Sequence, residues 1–134
     1  MESTFTPLEQ AVIAAICGLY PQDRPALEAQ LSTATMISRK NHGHGFYIRF
    51  SVDHGLSAAV RGPQRKDGPV AKIDGLKRGM GLTLWLKEGY ASCLEGFGYG
   101  ENISSLNLET VDFEVDPRPV VNQVRNPSSR KTLE

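Results

Sequence analysis

Three kinds of side chain in this sequence could do chemistry: a histidine pair, a strand-end carboxylate and two thiols. His42 and His44 flank Gly43. A histidine pair at this spacing on a strand would put both rings on one face, as some metal sites need. Here the pair falls in glycine-rich turn material, which is less preorganised. His54 lies on the order of 30 Å from His44 along a straight strand, too far to supply a third ligand unless the chain folds back. Turn histidines facing water are the plainer reading, and no metal or cofactor is expected. Glu95 ends an alternating apolar run, where burial or a nearby cation would tune it as a general acid or base. The plainer reading is a strand-end glutamate paired with Arg49 or Lys72. Cys17 and Cys93 lie among apolar residues and read as buried core thiols, not nucleophiles.

A second group carries recognition chemistry. Tyr47, Trp85 and Tyr90 alternate onto the polar side of their segments, together with Thr83, Arg49 and Lys87. Aromatic side chains beside arginine are the usual anchors of protein interfaces. Phe97 and Tyr99 follow within Gly96-Phe97-Gly98-Tyr99-Gly100. That stretch lacks the lysine and hydroxyl ending of a phosphate-binding loop, and no helix signature follows it.

These residues depend on a sheet. The segments after Gly43-His44-Gly45 and Gly79-Met80-Gly81 both alternate strictly, as a strand with one buried face does. Phe46, Ile48, Phe50 and Val52 form one such face. Residues 82–87 and 90–95 flank Glu88-Gly89 as a hairpin. A regular two-residue loop would pair Leu84 with Cys93 and Leu82 with Glu95, setting Cys93 in the core and Glu95 at its margin. Further strands are expected at 36–39, at 70–73 on an edge, and near 106–115. Residues 53–69 read as a long exposed loop, and 96–100 as a flexible aromatic segment leaving the sheet. Ahead of the sheet, Thr6-Pro7-Leu8-Glu9 is a capping box. It opens a helix with Leu8, Val12, Ile16 and Leu19 on one side. A second, short helix begins near Asp23, with Leu27 and Leu31 inward. The expected fold is α+β: a helical hairpin on one face of an antiparallel sheet of four to five strands.

The 134 residues suit one domain, taken as 1–115, with an extended or disordered tail at 116–134. Fifteen basic residues balance fifteen acidic ones, which argues against a dedicated nucleic-acid binder. No apolar run is long enough to span a bilayer, and no secretory leader is recognisable. A cytoplasmic protein without membrane or nucleic-acid partners is expected.

The motifs Gly45-Phe46-Tyr47, Gly79-Met80-Gly81 and Leu94-Glu95-Gly96-Phe97-Gly98-Tyr99-Gly100 together resemble a group of small bacterial proteins without an assigned activity. The resemblance covers roughly residues 6–115 and implies a small α+β domain of bacterial origin. It carries over no catalytic residue. Some free-standing bacterial domains of this size act as immunity proteins against secreted toxins, a loose analogy. The expected function is therefore non-catalytic binding of a protein partner or a second copy through Tyr47, Arg49, Trp85, Tyr90, Phe97 and Tyr99. The alternative is a small enzyme using Glu95 in a pocket at the sheet end.

Overall fold

A computed structural model describes residues 5–55 and 57–115. The expected tail at 116–134 lies outside the described residues. Two helices, α1 (Pro7–Leu19) and α2 (Arg24–Leu31), precede seven strands. These are β1 (Thr35–Asn41), β2 (Gly45–Ser51), β3 (Arg65–Asp67), β4 (Ala71–Ile73), β5 (Met80–Lys87), β6 (Tyr90–Gly98) and β7 (Phe113–Val115). All pairs are antiparallel, in the order β1-β2-β6-β5-β4-β7, with β3 also pairing β5. The α+β class and the helical hairpin hold; the strand count exceeds the expected four to five.

The capping box at α1 forms in both directions, Glu9 N to Thr6 Oγ1 at 3.2 Å and Thr6 N to Glu9 Oε1 at 2.9 Å. Glu9 is 4% exposed. Its carboxylate also accepts two bonds from Arg39 on β1, at 2.7 and 3.1 Å. A bidentate guanidinium pair of this kind makes burial of a carboxylate tolerable. Leu8, Val12 and Ile16 of α1 and Leu27 of α2 join Ile48, Leu84 and Leu94 in one core on the helical face of the sheet.

The expected exposed loop at 53–69 is corrected. Val60, Lys66 and Pro69 are buried, and residues 65–67 form β3. No apolar pattern signals this strand. It is held by charge: Lys66, 3% exposed, reaches Asp23 at the head of α2 at 2.9 Å and lies over the Tyr20 ring at 4.9 Å. Tyr20 Oη donates to the Asp67 carbonyl at 2.8 Å. Two further readings change. β4 is not an edge, because β7 pairs with its far side. The expected strand at 106–115 is reduced to β7, because Asn107 ties a turn instead, accepting from Glu109 N at its side chain and from Val111 N at its carbonyl.

Candidate functional site

The hairpin of β5 and β6 positions the candidate face. Glu88 and Gly89 both take positive φ, 54° and 90°, as a tight two-residue hairpin turn demands. Lys87 pairs with Tyr90 and Leu86 with Ala91, as expected. Then the register shifts: Trp85 pairs with Cys93, Leu84 with Leu94 and Thr83 with Glu95. Ser92 is the extra residue. One inserted residue turns every later side chain of β6 to the other face. Leu94 therefore enters the core, while Cys93 and Glu95 move to the open face. The expected placement of Cys93 in the core and Glu95 at its margin is overturned. Cys17 is buried as expected.

Register then fixes what stands beside what on the open face. One row across the strands reads Arg65, Trp85, Cys93, Arg49, Ser38. The next reads Asp67, Thr83, Glu95, Tyr47, Lys40. A third places Phe97 opposite Gly81. The segment 96–100, expected to be flexible, instead begins as the end of β6, with Phe97 packed edge-on to Tyr99 at 5.6 Å. The Phe97 ring lies 2.5 Å from where a Gly81 Cβ would be, so any larger residue there would have to displace Phe97 and Tyr99. On the core face the Phe46 ring occupies the space of a Gly96 Cβ in the same way.

Trp85 lies between Arg65 and Cys93 on this face and is 36% exposed. Its Nε1–H donates to Glu95 Oε1 at 2.8 Å, and the Arg65 guanidinium sits 5.4 Å from its ring centroid. Arg65 in turn pairs with Asp67 at 2.8 Å, and Thr83 donates to the same Asp67 oxygen at 3.1 Å. The tryptophan is thus held from the edge and from one ring face. Lys40 and Arg49, both exposed, form no ion pair with any described residue. Glu95 meets neither Arg49 nor Lys72 in an ion pair; tryptophan is its partner. Burial pushes the Cys93 thiol above its ordinary value, Glu95 adds to that, and Arg49 opposes it.

The remaining expected site residues disperse. Tyr90 stacks on His54, ring centroids 3.7 Å apart and nearly parallel. His42 and His44 are exposed in the β1–β2 turn, with the His42 ring 6.2 Å from Tyr47. No cluster of three or more metal-ligating side chains exists among the described residues. A cleft of about 460 Å³ lies on the helical side of β1, between α1 and residues 105–109. Smaller clefts of about 360 and 260 Å³ lie beside His54 and between the helices. Glu95 and Tyr99 line none of these three. No described helix is long and apolar enough to cross a membrane. No known protein family, curated protein or solved structure matches this chain. The resemblance carried by the glycine-aromatic motifs thus remains an expectation.

Proposed function

We propose that this is a non-catalytic binding protein that engages another protein through the open face of its sheet. The observation that carries this reading is the exposed, doubly held Trp85. A large aromatic side chain fixed before binding loses little rotamer freedom on association, and tryptophan, tyrosine and arginine dominate interface hot spots. Tyr47, Arg49, Phe97 and Tyr99 share the face with it; Tyr90, engaged by His54, belongs to the margin. Four strands of seven to nine residues give a planar footprint of roughly 500 Å². One partner's share of a standard interface is about 800 Å², so the face has the right scale.

Two features weigh against nucleic acid on this face. Glu95 places a carboxylate at its centre, and Arg65 occupies one side of the ring that a base would stack on. Glu95 as a general acid or base lacks support, since its carboxylate is engaged by Trp85 and lines none of the clefts above. An immunity-type role, masking another protein by binding it, is one form the activity takes; a homodimer through the same face is another.

The test is site-specific photo-crosslinking in cells. A crosslinking side chain at exposed Lys87, on the open face, should capture a protein, this chain or another. The same group at Glu28, on the helical face, should not. Capture from Glu28 alone contradicts the reading.

A further inference from the structure

The sheet ends on β1, and what that edge presents defines a partner more closely than the open face alone. β1 has seven residues, about 23 Å of chain, and all but Met36 are exposed. No described strand pairs with its outer side. Such an edge offers a row of backbone donors and acceptors to an incoming strand. The one irregularity here, the extra residue Ile37, lies near the start. From Ser38 to Asn41 the ladder is regular, with Ser38 opposite Arg49, Arg39 opposite Ile48, Lys40 opposite Tyr47 and Asn41 opposite Phe46.

The two sides of this edge differ. On the helical side lies the cleft of about 460 Å³, lined by Phe46, Leu106 and Leu108 together with Arg39, Lys40 and Glu109. That volume is within the range of sites that take a side chain or a small ligand. The Arg39 guanidinium at its wall is engaged by Glu9, and Phe46, Leu106 and Leu108 supply the apolar part of the lining. By register Lys40, opposite Tyr47, turns to the open side with Arg49, and neither has an ion-pair partner among the described residues. Successive residues of an added strand point to opposite sides. One set would face the apolar cleft and the other the two cations.

We propose that β1 is a strand-addition site for an extended segment of a partner protein that alternates apolar and acidic residues. Its apolar side chains fill the cleft over Phe46, and its carboxylates meet Lys40 and Arg49. This deepens the open-face reading and rests on it for the partner being a protein. A single-stranded nucleic acid would satisfy the two cations but neither the backbone edge nor the cleft. A second copy would bring another Lys40 to the same edge.

The experiment selects random twelve-residue peptides displayed against the full chain, then measures the enriched peptides by fluorescence anisotropy. Enrichment of alternating apolar and acidic sequences is expected. Affinity should fall about tenfold or more when Lys40→Glu and Arg49→Glu are combined, as reversal of unpaired charges does. It should fall comparably for Ser105→Trp, which places a ring at the exposed mouth of the cleft. Hydrogen exchange on the unaltered protein gives a second readout: bound peptide should protect the amides of residues 38–41. Peptides without alternation, protection confined to other strands, or a twelve-nucleotide oligomer bound equally well each overturn the proposal. So does concentration-dependent dimerisation abolished by Ser105→Trp, which assigns the edge to a second copy. Crosslinking from Lys87 without protection at 38–41 refutes strand addition while leaving the open-face reading intact.

Discussion

Gln30 of α2 is fully buried, and its amide ties three chain segments together. Its Nε2 donates to the Ala58 carbonyl at 2.8 Å and to the Gly89 carbonyl at 2.9 Å. Its Oε1 accepts from the Ala91 amide at 2.8 Å, one residue before the bulge at Ser92. Gln30→Met keeps the length and removes every polar atom. The Ala91 N–H then loses this acceptor in the core, at a cost of about 1–3 kcal/mol. The carbonyls add less: Gly89 O also accepts from Val60 N at 2.8 Å, and Ala58 O lies nearer solvent. The expected loss is about 2–4 kcal/mol, read as a lower urea midpoint with an unchanged slope. A loss below about 0.5 kcal/mol would refute the three-way tie. Gln30→Glu sharpens the test. It retains an acceptor for Ala91 but turns a buried charge toward two carbonyls. Both effects favour the neutral acid, so its folded-state pKa rises above the unfolded value. The variant should be weak at neutral pH and regain stability as pH falls through the raised folded value toward about 4.3.

Three other outcomes follow from the geometry. Asp23→Ala should destabilise more than Lys66→Met in chemical denaturation, because it strands a buried ammonium while the methionine variant removes the charge altogether. Cys17, whose thiol is pushed up to about 11 mainly by burial, should resist alkylation at neutral pH until the chain unfolds. Cys93, half-buried on the open face, should react sooner by mass spectrometry and become protected when a partner binds. Glu101 accepts from the amides of Lys77 and Arg78 at 3.0 and 2.8 Å, and these bonds hold its carboxyl below the ordinary value of 4.5. A depressed folded pKa means that its stabilising effect is full above the unfolded value and fades as pH falls through the folded one. The NMR shifts of those two amides should therefore titrate together with a midpoint below 4.5, and stay flat in Glu101→Gln.

What the sequence discloses here divides along physical lines. The capping box, the alternation of β2 and β5 and the Glu88-Gly89 turn are local signals, and each forms as read. The bulge at Ser92 has no local mark, since Tyr90-Ala91-Ser92-Cys93-Leu94 offers apolar residues in both phases. Only packing chooses Leu94 over Cys93 for the core. That choice decides the candidate site, because it carries Glu95 to Trp85. β3 is equally hidden: Arg65, Lys66 and Asp67 look like a solvated loop until Asp23 and Tyr20, more than forty positions away, capture the lysine. Glu9 shows the same limit. Its cap is readable within four residues, but its burial depends on Arg39, thirty positions on. The membership of Tyr47, Arg49 and Trp85 in one polar face was legible from alternation alone. Their order across it was not, since order depends on which strands are neighbours.

The most direct test of the open-face account is a paired capture experiment from source-cell lysate, using the protein and its Trp85→Ala variant at equal concentration. The account predicts one protein retained near stoichiometry by the parent chain. The variant should stay folded by circular dichroism and bind at least about thirtyfold more weakly, the loss of a hot spot worth 2 kcal/mol or more. Equal retention by both chains would contradict the account, as would a parent chain that stays monomeric and retains nothing.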